Sequence, residues 1–381
     1  MLFRYRLEIM RTPRGLPVTA GLLLPLVLIG HAASADTTAT MGGEQLASRG
    51  VVVATGAPAL PPTSAASWLV ADLTTGEVLA AKDPHGRFAP ASTLKVLTAQ
   101  TLIPRLNPKR IVMPTWQDVN VDGSKVGLKE GLRYTTSELF TAMLVVSGND
   151  AANTLASANG GIPQTVHEMN AEATRLRALD THAVNANGLD DPRQLTSAYD
   201  LALIGRAAMQ LPDFRKYVAT KHSSVRSVGR ARIALSSHDK LLYNYPGAIG
   251  IKNGYTVKAR ATFVGAATRG GHTLIVTLMR TDPRYWPEAA ALLDWGFAAT
   301  KAQVLPVGTL VSPVGTDAAS PEPTVAAAAS QAAPTRLSTT REVGVPLLPA
   351  GIVGGGMVVI AGSLLRGRSR NRRGKLTLPR L

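Results

Sequence analysis

Apolar and polar positions along the middle of the chain predict strands at both ends of a folded region and helices between them. Residues 67–73 and 77–82 are short runs rich in Val, Leu and Ala on either side of a Thr-Thr-Gly turn, which predicts a β-hairpin. Three later apolar runs also predict strands, and a Gly-Gly step joins the last two as a hairpin: residues 248–256, 261–268 and 273–280.

Helical patterns occupy the region between these two groups of strands. Thr135 and Glu138 have the spacing of a capping box and precede an apolar run, so a buried helix is predicted from there to about Ser147. Further helices are predicted at residues 92–103, 163–179, 197–210 and 286–297. The order of elements predicts an α+β fold, in which helices flank one antiparallel sheet containing the first and last strands and a helical subdomain is inserted between them.

The two ends of the chain carry signals for export and membrane attachment. Residues 1–35 run from scattered arginines through an apolar stretch to Ala33-Ser34-Ala35, the order of a signal peptide cleaved after Ala35. Residues 345–365 are uncharged and about long enough to cross a bilayer. The basic tail at residues 366–381 is expected to stay in the cytoplasm, so the rest of the chain is expected outside it.

Two segments next to the folded region have the composition of linkers. Residues 36–64 read as a short leader, and residues 306–344 are rich in Ala, Pro, Ser and Thr. Such segments bury too little apolar surface to offset the entropy of ordering. One folded domain is therefore predicted at residues 65–305.

Charge and composition exclude several classes of function. The formal net charge is +16, of which residues 1–35 carry +3 and residues 366–381 carry +7. Because most of the excess charge lies in the terminal segments, the predicted domain is only mildly basic, which argues against a nucleic-acid partner for it. The absence of cysteine excludes disulfides, thiol nucleophiles and cysteine metal sites. The chain has neither an H-E-x-x-H nor a G-x-S-x-G pattern, so no metal, no cofactor and no Ser-His-Asp triad are expected.

Three short motifs occur in order in the predicted domain: Ser92-Thr93-Leu94-Lys95, Ser147-Gly148-Asn149 and Lys252-Asn253-Gly254. Each pattern also occurs elsewhere in the chain; Ser237 and Lys240, for example, repeat the spacing of the first motif. Only the three motifs named above place a serine on a predicted helix, a second serine at a helix end and a lysine in a predicted strand. Positions i and i+3 share a helix face, so Lys95 can place its amine beside the Ser92 hydroxyl. A desolvated lysine among cations can then act as the base that serine needs, and the helix N-terminus can stabilise an oxyanion.

These motifs resemble the S-x-x-K, S-x-N and K-T-G set of penicillin-binding proteins and serine β-lactamases. Longer phrases such as residues 88–95, 146–153, 187–190 and 250–256 make the chain similar to the low-molecular-weight D-alanyl-D-alanine carboxypeptidases over most of residues 65–300. The resemblance implies a penicillin-sensitive enzyme of cell-wall biogenesis that removes the terminal D-Ala from peptidoglycan stem peptides. β-Lactam antibiotics are then its covalent inhibitors.

The resemblance also implies a role for each motif residue. Ser92 would be the nucleophile, Lys95 its base and Ser147 the proton shuttle to the leaving amine. The implied substrate-binding residues are Asn149, Lys252, Asn253, Gly254, Tyr255 and Thr256. Among these, Lys252 would hold the terminal carboxylate and Tyr255 would offer its backbone N–H as an oxyanion donor. Asn253 stands where the family usually has threonine, which leaves Thr256 as a nearby hydroxyl.

Two other functions remain open at this level. A class A β-lactamase uses a Glu-x-x-x-Asn element to activate water, whereas Glu168 and Glu172 are the only glutamates between Ser147 and Lys252, and neither has Asn four residues later. A wall-binding scaffold that kept the fold without turnover would form a stable penicillin adduct but cleave no peptide.

Overall fold

The structure, a computed structural model, describes residues 40–315. The predicted signal peptide, the linker beyond residue 315, the membrane segment at residues 345–365 and the basic tail lie outside the described residues. No helix within residues 40–315 combines the length and apolar character that crossing a membrane requires.

The described part alternates short strands and helices. Its strands are β1 Val51–Val53, β2 Ser67–Asp72, β3 Glu77–Lys82, β4 Ile111–Val112, β5 Tyr134–Thr135, β6 His222–Arg226, β7 Arg232–Ser236, β8 Ala248–Thr256, β9 Arg260–Arg269, β10 His272–Thr281 and β11 Gly308–Thr309. Its α-helices are α1 Lys95–Leu102, α2 Trp116–Val119, α3 Thr136–Val145, α4 Asn149–Ala158, α5 Ile162–Arg175, α6 Ala198–Ala208, α7 Pro212–Val218, α8 Leu241–Asn244 and α9 Tyr285–Lys301. Single 3-10 turns occupy Glu44–Ala47 and Ala91–Leu94.

One antiparallel sheet organises these elements, with the strand order β1-β3-β2-β10-β9-β8 and β11 paired to β3. The first hairpin and the last three strands meet where β2 pairs with β10, as the sequence predicts. The helices between β3 and β8 form the inserted subdomain. The predicted α+β class is therefore confirmed, and β8 is left with a free edge that faces the helical part.

Both faces of the sheet are buried, which explains why its strands read as continuous apolar runs. On one face Trp68, Val70 and Leu274 pack with Leu292 and Trp295 of α9. On the other face the sheet joins the larger core formed with α1, α3, α4 and α6. The turn that carries Ser92 contacts both β8 and β9, and its Leu94 belongs to the larger core.

Helix boundaries differ from the prediction in ways that have local causes. Thr135 caps α3 through a complete capping box with Glu138, as predicted. The helix predicted from residue 92 begins instead with the 3-10 turn Ala91–Leu94, so that α1 starts at Lys95. Ala91 has a φ of 47°, in the left-handed region, and this sharp entry keeps Ser92 out of the regular helix.

The folded region extends beyond the predicted limits of 65 and 305, so the linker assignments there need correction. Within the predicted leader, Val51–Val53 pairs with β3 and the side chain of Leu46 is fully buried. Within the predicted second linker, Gly308–Thr309 also pairs with β3. These segments are too short to show a period in the sequence, and they are ordered because they cover the edge of β3.

Candidate active site

Two threonine hydroxyls fix the turn that carries Ser92 by hydrogen bonds to its backbone. The Oγ1 atoms of Thr93 and Thr262 donate to the backbone carbonyl of Pro90 at 2.6 and 2.7 Å. Thr262 belongs to β9, so the central sheet fixes the position of the turn. The Ser92 side chain remains partly exposed at the surface of this rigid base.

Lys95 lies directly beside Ser92, one 3-10 turn later. Its Nζ is 2.9 Å from Ser92 Oγ and 2.7 Å from Asn149 Oδ1, and it also contacts the backbone carbonyl of Asn187. The Lys95 side chain is fully buried. Three elements of the chain therefore converge on one amine: the nucleophile turn, the start of α4 and the loop at residue 187.

The surroundings of Lys95 favour the neutral amine. Burial lowers the pKa of Lys95 well below its usual value of 10.5, and the nearby charge of Lys252 lowers it further. Asp150 acts in the opposite direction, but its carboxylate is already hydrogen-bonded to the backbone N–H groups of residues 126–128. Lys95 is thus available as a proton acceptor.

The three contacts also orient the neutral amine. A neutral lysine has two N–H donors and one lone pair, whereas the carbonyl oxygens of Asn149 and Asn187 can only accept. If these two oxygens take both donors, the lone pair points at Ser92 Oγ, whose O–H then donates to Lys95. This geometry lets the serine proton move to the amine as the oxygen attacks.

Asn149 borders the site from the helical side, and Ser147 lies two residues before it. Ser147 has a φ of 62°, so the chain turns sharply in the left-handed region between α3 and α4. Asn149 is the first residue of α4, and its Nδ2 donates to the carbonyl of Asp122 at 2.7 Å. Both side chains are buried, and Asn149 is held so that its Oδ1 faces Lys95.

Strand β8 supplies the opposite wall of the site. Lys252 is buried, and its Nζ donates to the backbone carbonyl of Asn253 at 2.6 Å. Burial lowers the pKa of Lys252 to about 7, while Asp239 raises it. The amide oxygen of Asn253 is 3.4 Å from the same Nζ. A bound anion would restore the charged form of Lys252, which suits a site for a carboxylate.

The remaining predicted residues follow at the end of β8. Tyr255 has 59% of its surface exposed. Thr256 donates its hydroxyl to Asp190 Oδ1 at 2.9 Å and accepts from the Ala259 N–H, so its hydroxyl already has partners. The nine predicted residues thus lie on three segments: the turn with the start of α1, the junction of α3 and α4, and the end of β8. Contacts link Lys95 and Gly254 to Ser92 and Asn149 to Lys95, whereas Thr256 is hydrogen-bonded to Asp190.

At Gly254, strand β8 closely approaches the turn that carries Ser92. A Cβ built there would lie 2.6 Å from the Ser92 backbone nitrogen and 2.6 Å from Thr262 Oγ1. These atoms are backbone and a hydrogen-bonded hydroxyl, so they have little freedom to move. Only glycine, which has no Cβ, allows β8 to lie this close to the backbone N–H of Ser92.

Gly254→Ala is therefore expected to push β8 away from Ser92 and to lower the rate of acylation by a β-lactam by about tenfold to a hundredfold. Gly270→Ala is the matched control, since a Cβ there meets no heavy atom within 4 Å, although its φ of 56° makes a small loss of stability expected. Stopped-flow acylation and thermal unfolding of both variants measure the effect. Equal acylation rates in the Gly254 variant and the wild type would contradict the close approach.

Several residues of the site were not predicted individually. Asn187 contributes a backbone carbonyl, which no side-chain pattern reveals, and Asn153 and Asp150 act through hydrogen bonds to other parts of the site. Gly188 has a φ of 87°, and a Cβ there would lie 2.0 Å from the Ala91 carbonyl oxygen. All four lie in the phrases at residues 146–153 and 187–190, so family resemblance is the only signal that pointed to them.

The two glutamates considered for a β-lactamase mechanism are engaged elsewhere. Glu172 accepts from Gln100 at 2.9 Å and from Arg175 at 2.7 Å. Glu168 accepts from Asn159 and Gln164. Neither carboxylate contacts Ser92 or Lys95. Within residues 40–315, no group of three or more His, Asp or Glu side chains is placed to hold a metal ion.

The chain is similar to known D-alanyl-D-alanine carboxypeptidases. D-alanyl-D-alanine carboxypeptidase DacB2 of Mycobacterium tuberculosis is 44% identical over 250 residues, which cover 64% of this chain and 86% of that protein. D-alanyl-D-alanine carboxypeptidase DacD of Escherichia coli is 34% identical over 255 residues, which cover 63% of this chain and 64% of that protein.

Solved structures share the fold. The crystal structure of a D-alanyl-D-alanine carboxypeptidase from M. tuberculosis H37Rv aligns with a TM-score of 0.65 and 43% identity, over 68% of this chain and 99% of that one. The Streptomyces K15 DD-transpeptidase aligns with a TM-score of 0.61 and 28% identity, over 63% of this chain and 100% of that one.

Fold and site together define a serine peptidase whose nucleophile lies beside a buried lysine. The sequence profile of the D-alanyl-D-alanine carboxypeptidase family matches residues 53–282. The chain belongs to this family.

Proposed function

We propose that this protein is a D-alanyl-D-alanine carboxypeptidase that removes the terminal D-Ala from peptidoglycan stem peptides through an acyl-enzyme on Ser92. The observation that carries the proposal is the buried contact of Lys95 Nζ with Ser92 Oγ at 2.9 Å, combined with two carbonyl acceptors for the same amine. This arrangement places a proton-accepting amine beside the serine hydroxyl and so activates the nucleophile.

In the acylation step, Lys95 accepts the proton of Ser92 as Oγ attacks the carbonyl carbon of the penultimate D-alanine. The backbone N–H groups of Ser92 and Tyr255 stabilise the oxyanion; the short approach of Gly254 to the Ser92 nitrogen supports this pairing. The C–N bond then breaks, and the departing amine takes a proton that reaches it through Ser147. The products are free D-alanine and an ester on Ser92.

Water completes the cycle by hydrolysing the ester. The proton that leaves water is accepted by Lys95, and Ser92 Oγ is released with a proton, so the enzyme returns to its starting state. A β-lactam follows the same acylation with ring opening. Because the opened ring remains attached, its leaving nitrogen does not diffuse away and the adduct persists.

Lys252 and Asn253 hold the terminal carboxylate of the substrate. Lys252→Ala is expected to lower kcat/KM for a D-Ala-D-Ala peptide by about a hundredfold or more, because a buried cation opposite a carboxylate is lost. Asn253→Thr is expected to change it by no more than about tenfold, because both side chains offer a hydrogen-bond donor. Steady-state kinetics on both variants test this. A larger loss for Asn253→Thr than for Lys252→Ala would place the carboxylate elsewhere.

The domain works outside the cytoplasmic membrane and is anchored by residues 345–365. The order of basic, apolar and small residues at the N-terminus and the uncharged segment before the basic tail support this compartment. Membrane fractionation, followed by protease treatment of intact spheroplasts, tests it. Digestion of the domain from the outside with retention of a protected tail is the expected result.

Intact mass after penicillin, followed by a D-alanine release assay on an acylated D-Ala-D-Ala peptide, tests the reaction itself. The expected result is one adduct on the peptide that contains Ser92, together with release of D-alanine. An adduct without release would favour the scaffold, and rapid hydrolysis of penicillin without peptide turnover would favour a β-lactamase.

A further inference from the structure

One face of α4 contacts both groups that accept hydrogen bonds from Lys95: it supplies the Asn149 side chain, and it binds the side chain of Asn187, whose backbone carbonyl is the second acceptor. Asn149 and Asn153 are four residues apart, so they lie on the same side of the helix. Asn149 Oδ1 accepts from Lys95 Nζ. Asn153 Oδ1 accepts from Asn187 Nδ2 at 3.0 Å, and the backbone carbonyl of Asn187 contacts Lys95.

The loop that carries Asn187 is also held by α1 and by bonds within the loop, since Thr98 Oγ1 of α1 donates to the Ala186 carbonyl at 2.8 Å. Asn185 Oδ1 accepts from the Gly188 N–H at 2.8 Å, and Asn187 Oδ1 accepts from the Leu189 N–H at 3.0 Å. The bond from Asn187 Nδ2 to Asn153 ties this loop to α4. Asn153 and Asn187 are 6% and 5% exposed, so water has little access to replace the bond.

We propose that Asn153 is a positioning residue, which holds Asn187 so that its backbone carbonyl takes the second N–H of neutral Lys95 and turns the lysine lone pair toward Ser92. The inference rests on the proposed function. Asn153 does not touch Ser92 or Lys95, so it acts only through the carbonyl of Asn187. Without this carbonyl, the amine is free to rotate its lone pair away from the serine proton.

Asn153→Val tests the role, because valine removes the accepting oxygen together with the rest of the side-chain amide and adds no charge. The rate of acylation by a β-lactam is expected to fall by about tenfold or more at its pH plateau. The acid limb, which is the rise of the acylation rate with pH as Lys95 loses its proton, is expected to move to lower pH. Withdrawal of the Asn187 carbonyl destabilises the charged ammonium more than the neutral amine, so the pKa of Lys95 falls. The charged groups acting on Lys95 are Lys252 of β8 and Asp150 of α4, and both stay in place.

Two further variants separate positioning from simple loosening of the fold. Asn187→Ala removes the same hydrogen bond from the other side and also the bond from the Leu189 N–H, so the double variant with Asn153→Val is expected to be no slower than Asn187→Ala alone. Asn153→Asp keeps an accepting oxygen and adds negative charge, so we expect it to retain the plateau rate and to move the acid limb to higher pH. Asn170→Val is the control, since Asn170 of α5 binds Ala183 in the same loop but not Asn187.

Distinct outcomes overturn the inference and the proposed function. If the wild type forms no adduct on Ser92, the proposed function fails. If the wild type reacts and Asn153→Val matches it in rate and in acid limb, the positioning role alone fails. A shift of the limb to higher pH in Asn153→Val would also overturn it, because that is the effect of admitting water around the amine. An equal loss in Asn170→Val would assign the effect to loop stability.

Discussion

Replacing Ser92 with alanine is expected to abolish the covalent penicillin adduct and to lower D-alanine release by a factor of roughly 10⁴ or more. The substitution removes one heavy atom, Oγ. The turn that carries residue 92 is fixed by hydrogen bonds from Thr93 and Thr262 to the Pro90 carbonyl, which the substitution does not touch. We therefore expect an unchanged thermal midpoint. Intact mass after penicillin and the release assay measure the two effects.

Ser237→Ala is the matched control, because Ser237 and Lys240 repeat the spacing of Ser92 and Lys95. In the structure Ser237 Oγ accepts from the backbone N–H of Asp239, and Lys240 is exposed. We expect full labelling and full turnover in this variant, and an adduct that survives Ser92→Ala but not Ser237→Ala would reverse the assignment.

Long periodic segments explain why most of the fold could be predicted from the sequence. The hairpin of β2 and β3 and the strands β8, β9 and β10 lie within one or two residues of the predicted runs. The capping box at Thr135 also fixed the start of α3. The hairpin of β6 and β7 at residues 222–236 was not predicted, because its polar residues alternate with few apolar ones and its pairing depends on contacts with α3.

The site was predicted less completely, for reasons of chemistry. Spacing alone places Lys95 on the face of Ser92, since both belong to one helical segment. Asn187 could not be found in this way, because its backbone carbonyl makes the contact and any residue type has one. The sequence likewise gives no sign that Thr256 is bound to Asp190, which depends on how the loop at residue 190 folds over the end of β8.

Replacing Lys95 with methionine is expected to lower the acylation rate by about a thousandfold, because the general base is lost while the nucleophile remains. Methionine is similar in length and needs no desolvation of a charge, so the buried position should accept it without unfolding. Lys95→Arg is the companion variant. Arginine stays protonated in proteins, so it carries a fixed positive charge and cannot take the serine proton.

The pH dependence of acylation distinguishes a base from a fixed charge at this position. Burial and Lys252 lower the pKa of Lys95, so the neutral amine is available well below pH 10.5, and the wild-type rate should rise with pH through that lowered pKa. Below it, Lys95 is protonated and cannot accept the proton of Ser92. The residual rates of both variants should lack this limb. If Lys95→Arg acylated as fast as the wild type, with the same limb, Lys95 would act as a charge and the base would have to be another group near Ser92.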